Sequence, residues 1–405
     1  MEFLSKHWLD KFIGQCLCAV LSVWAYVFPD NEPDLPPRKM LVIFLSRTGR
    51  AVLVRPMLDK IRKDAPDVEL HVLTDTHNAE IFEIFGIEKD KLLTIEMETA
   101  WGGILSILRL IPVLRRLGPT VSIDGELFTR TSAIVSYLSG ASIRVGFHRK
   151  NEEGNYRGSF INRAVPYNPY RHFSRQLLTL ADAVYQVGSP SNKASQDVIP
   201  EHMEKCSIDA DGRKNLSDRL QQDFPETIGK QLILMCPGGG DQAIKAWPSS
   251  YFLAVCQKLL ARQYVIGLLG NRKDNSLLSE IRHGSGSPYV IDLSAYANTI
   301  GELLALFDLS ELLIANDGDI SQLSALHSIS AITLYGPDTP SLYRPLKERS
   351  YCFHSELPCS PCLTAYNHRR SHCDGDNQCL QLIHPDSVFK QALAFLTAQS
   401  KSVMN

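Results

Sequence analysis

The sequence lacks the features that define several large classes of protein. Its 405 residues include only ten cysteines, too few for a disulfide-built scaffold, and its formal net charge of -2 excludes a polycation that coats nucleic acid. No G-x-G-x-x-G follows an apolar run and no G-x-x-x-x-G-K-[ST] occurs, so neither a common dinucleotide-binding fold nor a P-loop NTPase is indicated. The sequence also contains no H-E-x-x-H, G-x-S-x-G or EF-hand pattern, which removes the support for protease, esterase or calcium-binding functions.

The length and composition instead indicate a globular protein of several domains. At roughly 150 residues per domain, a chain of 405 residues corresponds to two or three domains. With 44% hydrophobic and 21% charged residues, the composition argues against a disordered, collagen-like or coiled-coil protein. We therefore expect large buried cores, with function carried by local segments.

An apolar segment near the amino terminus, Phe12 to Phe28, has helical periodicity but is short for a membrane span. On a helix its apolar residues form one stripe, opposite a second stripe made of Lys11, Gln15, Cys18 and Ser22. This pattern favours a helix lying in a membrane interface over a helix docked on the protein's own core, and either over a spanning anchor. A cleaved signal peptide is the remaining alternative, but no clear small-x-small site follows.

Short apolar runs followed by polar loops and helical patterns recur along the chain, as in α/β proteins. Four such runs in the first half predict parallel strands: Met40–Leu45, Val68–Thr74, Thr120–Asp124 and Ile143–Phe147. Five more follow Asp223, within QLILMCPGGG, YVIGLLGN, YVIDLS, LLIAND and AITLYGP. We therefore predict two doubly wound domains whose strand-end loops converge on one cleft between them.

The predicted organisation has three parts. They are a helix and proline-rich linker over residues 1–37, a first domain over 38–200, and a second over 224–400 with a cysteine-rich segment at 352–379. Residues 101–180 hold eleven Lys and Arg against four acidic residues. This excess indicates either a basic surface for an anionic glycolipid or bilayer, or helix faces that are simply solvated.

Several motifs in the second half occur in an order and spacing that resemble one enzyme family. They are PGGGDQAIKAWP from Pro237, NDGD from Asn316, LYGPDTPSLYRPL from Leu334, and CSPC followed by Cys373 and Cys379. Together they resemble bacterial glycosyltransferase family 9, the heptosyltransferase-like enzymes of lipopolysaccharide core assembly. The resemblance implies the GT-B architecture of two Rossmann-like domains, with the acceptor bound mainly by the first and the sugar nucleotide by the second.

The resemblance also implies a set of donor-binding residues. Glycine backbone at a strand end can approach a diphosphate, and a lysine there can neutralise its charge without a metal cofactor for catalysis. The alternative interpretation of Lys245 is a surface lysine in a loop. The alternative interpretation of Asp317 is an aspartate that caps the following helix. The predicted donor-binding residues are Gly239, Gly240, Asp241, Lys245, Asp274, Asp317, Gly318 and Gln322.

One departure from the family concerns the catalytic base. An inverting transfer needs a base that deprotonates the acceptor hydroxyl, and the family places an aspartate after glycine in the first loop. Here Gly49 is followed by Arg50, which stays protonated and cannot be that base. Asp124 and Glu126, at the end of another strand, are the predicted replacements, and the predicted acceptor-binding residues are Arg50, Arg130 and Arg157.

The cysteine cluster allows two interpretations. Cys359, Cys362, Cys373 and Cys379 fall within 21 residues and would suffice for a tetrahedral zinc site. The alternative is a set of free thiols or a redox pair without metal. In either case we expect a structural role for this segment.

Taken together, the sequence predicts an inverting glycosyltransferase. It would move heptose or a related sugar from a nucleotide diphosphate donor, such as ADP-heptose, to a lipopolysaccharide-core or other cell-surface glycan. We expect a cytoplasmic protein on the inner face of the cytoplasmic membrane that binds a phosphorylated glycolipid and no nucleic acid. The alternatives are a degenerate member that binds without transfer, and an unrelated two-domain protein that binds a small anion.

Overall fold

The chain divides into two compact units, Met1–Ile199 and Pro200–Asn405. The structure, a computed structural model, describes residues 2–29, 36–96, 99–148, 156–186, 199–240, 242–367, 369–373 and 376–403. Each unit contains one six-stranded sheet, and every strand in both sheets is parallel to its neighbours. The prediction of two Rossmann-like α/β domains is confirmed.

The first sheet has the strand order β3-β2-β1-β4-β5-β6. Its central strands are buried along their whole length, as expected for apolar runs covered by helices on both faces. The strands are β1 Lys39–Phe44, β2 Glu69–Asp75, β3 Leu92–Ile95, β4 Val121–Asp124, β5 Ile143–Phe147 and β6 Arg163–Val165. The helices are α1 Glu2–Val27, α2 Thr48–Val52, α3 Arg55–Asp64, α4 Ala79–Ile84, α5 Ala100–Leu117, α6 Arg130–Leu138 and α7 Phe173–Ala183.

The second sheet has the order β12-β11-β10-β7-β8-β9, which repeats the doubly wound pattern. Its strands are β7 Leu232–Cys236, β8 Val265–Leu268, β9 Val290–Asp292, β10 Leu312–Asn316, β11 Ser330–Tyr335 and β12 Ser350–His354. Its helices are α8 Ala210–Asp223, α9 Ser249–Leu260, α10 Asn275–Ser285, α11 Ile300–Asp308, α12 Asp319–Leu323, α13 Pro340–Tyr343, α14 Gln378–Gln381 and α15 Pro385–Val403.

Trp247 connects the second core to the carboxyl-terminal segment. Its ring is buried among the side chains that join β7, α9 and α15. The indole N–H donates to the carbonyls of Leu380 (3.1 Å) and Ile383 (3.0 Å). A buried indole N–H needs such partners, so Trp247 holds the loop after β7 against the chain's last helices.

Two sequence-based expectations differ from the structure. Three of the four edge strands, β3, β6 and β12, were not predicted, because they are short and partly exposed and lack a continuous apolar run. The residues between the two predicted domains, 201–223, contain α8, which packs against α11 inside the second unit. Residues 187–198 lie outside the described part of the chain.

The amino-terminal helix α1 packs on α6 through small and polar side chains. The carboxylate of Asp10 accepts from the backbone N–H groups of Arg130 (3.2 Å) and Thr131 (2.8 Å), so it caps α6 from another helix. Further along, the Ser22 hydroxyl accepts from the Ser159 N–H (2.8 Å). The docked face therefore contains Gly14, Cys18, Leu21, Ser22 and Ala25. Gln15 of the predicted polar stripe is exposed, and the apolar stripe is largely left outside.

The exposed face of α1 carries large apolar side chains, which are Phe12, Ile13, Leu17, Val20, Val23, Trp24, Tyr26 and Val27. None of the helices in the described part of the chain combines the length and apolar character needed for a membrane crossing.

Candidate active site

In the first unit, β4 ends at a buried carboxylate. Asp124 is 1% exposed, and its Oδ1 accepts from the Glu126 N–H (3.0 Å) while its Oδ2 accepts from Arg157. Burial raises the pKa of Asp124 to about 6, although the Arg157 guanidinium opposes that shift. Asp124 is therefore a buried group with both oxygens engaged by the chain.

Arg157 is the cation that stabilises the buried Asp124 carboxylate. Its side chain is fully buried, and all five of its guanidinium N–H groups donate within the first unit. The acceptors are Asp124 Oδ2, Ser132 Oγ (2.8 Å) and the carbonyls of Glu126 (2.7 Å), Thr129 (3.0 Å) and Phe147 (3.2 Å). Arg157 thus fixes the position of the loop that carries Glu126. Its predicted contact with an acceptor stays a prediction.

Glu126 joins this loop to the loop after β1. Its Oε1 accepts from the backbone N–H groups of Leu45 (2.7 Å) and Ser46 (2.6 Å), and its Oε2 accepts from the Ser46 hydroxyl (2.8 Å). The intervening Gly125 is required sterically, because a Cβ there would lie 2.9 Å from the Phe44 ring. The first loop and the predicted catalytic loop therefore form one hydrogen-bonded group at the carboxyl end of the sheet.

The other two predicted acceptor residues lie in different settings. Arg50 is on α2, directly after the first loop, and is partly exposed. Arg130 begins α6 and is 5% exposed, because Gly14 of α1 packs over its side chain. Its Nε has no partner among the described residues. Of the three arginines, Arg50 is the one with accessible surface.

In the second unit, one lysine lies between two buried carboxylates. Lys245 Nζ is 2.5 Å from Asp317 Oδ2 and 3.2 Å from Asp338 Oδ2. Asp317 follows β10 and Asp338 follows β11, so parallel strand ends bring them together. Burial raises the pKa of Asp317 despite Lys245. Lys245 and the β10 loop are therefore in contact, and the donor-binding roles of Lys245 and Asp317 stay predictions.

Asp338 and Arg369 were not singled out from the sequence. The Arg369 guanidinium contacts Asp338 and lies 4.7 Å from the centre of the Tyr343 ring. Burial alone would raise the pKa of Asp338, but Arg369 and Lys245 hold it below its usual value. The position of Asp338 after an apolar strand was a usable signal. Arg369 lies in irregular chain with a left-handed backbone (φ 56°), so no sequence signal indicated it.

The glycine-rich loop after β7 is held by side chains of neighbouring loops. The Asn316 side chain donates to the carbonyls of Pro237 (2.7 Å) and Gly238 (3.2 Å) and accepts from the backbone N–H of Trp247 (3.2 Å). Asp274 packs directly against this loop, since a Cβ on Gly238 would lie 2.5 Å from its carboxylate. The Asp274 carboxylate also accepts from the Asn271 N–H (2.9 Å). Asp274 therefore supports the glycine-rich loop from the neighbouring loop after β8.

The remaining predicted donor residues are placed as follows. A Cβ on Gly239 would lie 2.6 Å from the Gln242 carbonyl, and Gly240 has φ 62°, so both positions favour glycine. Gly318 directly precedes α12. The Gln322 amide donates to the Tyr343 carbonyl, leaving its own oxygen without a partner among the described residues. Asp241 lies outside the described residues.

The four clustered cysteines are close enough to influence one another. Burial raises the pKa of the Cys379 thiol to about 11, and Cys362, Cys373 and Cys359 add to that shift. All four are free thiols, and Cys373 Sγ accepts from the Asn377 N–H (3.1 Å). Within the described ranges, no three His, Cys, Asp or Glu side chains are arranged to hold a metal ion. The zinc site stays a prediction.

Two parallel six-stranded domains, one with a lysine and buried carboxylates at its strand ends, define a protein of the GT-B class. The family model for glycosyltransferase family 9 (heptosyltransferase) matches residues 128–371, which is more than half of the chain. The chain therefore belongs to glycosyltransferase family 9.

Similar sequences carry heptosyltransferase names. The lipooligosaccharide heptosyltransferase 2 of Haemophilus ducreyi is 24% identical over 209 residues, covering 50% of this chain and 58% of the relative. The lipopolysaccharide heptosyltransferase 2 of Salmonella typhimurium is 25% identical over 147 residues, covering 35% and 40%. The chain thus matches about half the length of these curated relatives.

Solved structures share the fold over nearly their whole length. The E. coli ADP-heptose lipopolysaccharide heptosyltransferase II has a TM-score of 0.67 at 17% identity, covering 89% of this chain and 99% of that one. A family 9 glycosyltransferase from Veillonella parvula has the same score and identity, covering 91% and 99%. At these identities the likeness shows the GT-B fold alone.

Proposed function

We propose that the protein is an inverting glycosyltransferase that uses a nucleoside diphosphate sugar as donor. The observation that carries this proposal is Lys245, held at the strand ends of the second unit between Asp317 and Asp338. The names of its relatives point to a heptose or related sugar as the transferred group. The acceptor would be a lipopolysaccharide core or another cell-surface glycan.

The donor would bind at the glycine-rich loop of the second unit. Backbone N–H groups at Gly239 and Gly240 would approach the diphosphate, and Lys245 would neutralise the charge that develops on the leaving group. The solved relative named for ADP-heptose supports ADP-heptose as the first donor to test. Asp317 and Asp338 would hold the lysine and leave Asp317 in reach of a ribose or sugar hydroxyl.

Glu126 is the better of the two predicted bases. Asp124 has each oxygen committed to the chain, whereas Glu126 Oε2 accepts only the Ser46 hydroxyl and keeps capacity for a second donor. In the proposed step, the acceptor oxygen forms a bond to the anomeric carbon as the bond to the diphosphate breaks. The hydroxyl proton passes to Glu126 and the electron pair leaves with the nucleoside diphosphate.

The exposed face of α1 supports a membrane-associated acceptor. Apolar residues on α1 and on the neighbouring α5 (Ile104, Leu105, Leu108) are exposed, and α5 also carries exposed Arg109 and Arg116. Apolar side chains flanked by arginine suit the interface of an anionic bilayer. We propose that this face rests on the inner face of the cytoplasmic membrane and that Arg50 contacts a phosphorylated glycolipid.

Calorimetric titration with ADP, UDP, GDP and their sugar conjugates tests the donor site. We expect one nucleotide to bind and Lys245→Ala to lose that binding at least tenfold, since hydrogen bonds to charged groups contribute about 1.5–3 kcal/mol. Lys258→Ala on α9 is the matched control, because Lys258 is an exposed lysine paired with Asp386. Failure of a folded protein to bind any of these nucleotides would refute the proposal.

A second candidate is a family member that binds its ligand without transfer. Arg50 at the position of the family's base and the full engagement of Asp124 favour it. The two candidates separate in one assay, the release of nucleoside diphosphate from the donor that titration identifies, in the presence of a lipopolysaccharide-core acceptor. Binding without release above the buffer rate would support the second candidate.

A further inference from the structure

A separate cavity opens at the amino ends of the strands of the second sheet, opposite the proposed donor site. Its volume is about 230 Å³. It is lined by the residues that precede three neighbouring strands, such as Ser310 before β10, Ile329 before β11 and Arg349 before β12. Lys245, Asp317 and Asp338 lie at the other ends of these strands, roughly 16–20 Å away at about 3.3 Å per residue. The cavity is thus distinct from the proposed donor site.

Lys347 is a buried lysine in the wall of this cavity. It is 7% exposed, and its Nζ donates to the carbonyls of Ser324 (2.7 Å) and His327 (2.5 Å). An ammonium has three N–H donors, and no third acceptor for Lys347 is present in the described part of the chain. A buried charge with an unused donor is costly unless an anion completes it.

Further cations line the cavity from other segments. Lys205 is exposed and has no hydrogen bond or ion pair with the described residues, and Arg349 makes a single weak contact with the Phe395 carbonyl (3.4 Å). The segment that carries Lys205 is held in place by hydrogen bonds from Met203 to Leu346 (3.0 Å) and from Cys206 to Leu326 (2.9 Å). Three cationic side chains from two separated stretches of chain therefore face one space.

The acidic groups nearby do not balance this charge. Glu348 lies 3.4 Å from His202, and Asp308 lies 3.4 Å from His327 and also contacts Arg213. Asp308 therefore has a cationic partner in Arg213, whereas Glu348 lines the cavity itself, beside the imidazole of His202. Lys347, Lys205 and Arg349 outnumber this one carboxylate and leave an excess of positive charge around the cavity.

We propose that this cavity is a binding site for a small phosphate-bearing anion, held by Lys347, Lys205 and Arg349. Donors that approach from several directions suit a tetrahedral dianion better than a planar carboxylate. The cavity is smaller than the roughly 300–1,000 Å³ of pockets for drug-sized ligands, so it fits inorganic phosphate or a simple sugar phosphate. The same chemistry occurs in the phosphate of a lipid headgroup, and the test separates these sources.

Proton uptake should accompany binding. Burial, assisted by the nearby charges of Lys205 and Arg349 and opposed by Glu348, lowers the pKa of Lys347 to about 7. Burial and Lys347 likewise lower the pKa of His327, so its own titration falls at lower pH. A bound dianion favours protonated Lys347. Affinity should therefore rise as the pH falls through about 7.

The first experiment is calorimetric titration of the full chain with inorganic phosphate, a hexose phosphate and sulfate. Sulfate keeps a constant charge from pH 6 to pH 8, so its pH profile reports the protein alone. We expect sulfate to bind about tenfold more tightly at pH 6 than at pH 8, because the protonated fraction of Lys347 changes about tenfold for a pKa of about 7. Lys347→Met should remove that pH dependence and weaken binding about tenfold or more.

Two controls keep the result specific. Lys245→Ala removes phosphate binding at the proposed donor site, so phosphate binding that Lys245→Ala retains and Lys347→Met loses belongs to this cavity, and Lys347→Met should leave nucleotide affinity unchanged. If Lys347→Met does not fold, Lys205→Gln with Arg349→Gln decides, with an expected loss of about tenfold or more. Phosphate binding that these variants retain, or no binding by the wild-type chain, would overturn the proposal.

A vesicle-binding experiment determines whether the bound phosphate belongs to a lipid headgroup or to a soluble molecule. Sedimentation with phosphatidylcholine vesicles, with and without phosphatidic acid, is compared for the wild-type chain and Lys205→Gln. A loss of binding to phosphatidic acid in Lys205→Gln assigns the cavity to a lipid headgroup. Equal vesicle binding by both proteins, together with the calorimetric result, assigns it to a soluble phosphate.

Discussion

Removal of the Arg157 guanidinium tests how the first unit supports its proposed catalytic loop. Arg157→Met leaves Asp124 as a buried carboxylate without its cation, and it removes one donor from each of four further acceptors. Breaking a buried ion pair by deleting one partner costs about 3–5 kcal/mol. At about 2–4 °C per kcal/mol for a unit of this size, the melting temperature of the first unit should fall by roughly 6–20 °C.

The loss of stability caused by Arg157→Met should depend on pH. The pKa of Asp124 is raised from 3.8 to about 6 in the folded wild-type chain. A carboxylate with a raised pKa stabilises the fold most below 3.8, and that contribution is lost as the pH rises through about 6. Without Arg157 the pKa rises further and the loss extends to higher pH. Arg157→Met should therefore be more destabilising at pH 8 than at pH 5.

Scanning calorimetry of the full chain at both pH values measures this effect. Arg116→Met, an exposed arginine on α5, is the matched control and should change the melting temperature little. Asp124→Asn combined with Arg157→Met should restore part of the loss at pH 8, because no unpaired charge remains. A cost below about 1 kcal/mol, or an equal cost at pH 5 and pH 8, would refute the reasoning.

Three further predictions concern other parts of the chain. Gly238→Ala should lower nucleotide affinity and cost about 1–3 kcal/mol in urea unfolding, because its Cβ would overlap Asp274; unchanged affinity would contradict the loop geometry. Asp10→Ala should remove the cap of α6, cost about 1 kcal/mol and speed proteolytic release of α1, whereas equal cleavage rates would contradict the docking. Trp24→Ser with Phe28→Ser should weaken sedimentation with anionic vesicles about tenfold or more, and unaltered sedimentation would exclude α1 as the membrane face.

The central strands of both sheets and the edge strand β9 were predictable, while the other three edge strands were not. Central strands such as β4 and β10 are buried on both faces and so form continuous apolar runs. The edge strand β3 is mostly only half buried, and β6 has three residues, so neither carries a pattern that differs from loop sequence. Their pairing depends on the sheet already being present.

The site was predictable where residues follow a strand directly. Asp317 directly follows β10 and Asp338 lies just beyond β11, whereas Lys245 lies further along the loop after β7 and was indicated by the family resemblance. Arg157 was recognised as basic, but its burial depends on five acceptors that only the fold brings together. Arg369 is distant in sequence from the aspartate it contacts, so no local pattern indicated it.

The turnover of Glu126→Gln tests the central claim most directly. A glutamine keeps an oxygen that accepts from the Leu45 and Ser46 N–H groups, but it cannot take up a proton at neutral pH. With the donor that titration identifies and a lipopolysaccharide-core acceptor, sugar transfer should fall about 10²–10⁴-fold, while donor affinity and melting temperature stay near wild type. Transfer at the wild-type rate by a folded Glu126→Gln protein would contradict the assignment of Glu126 as the base.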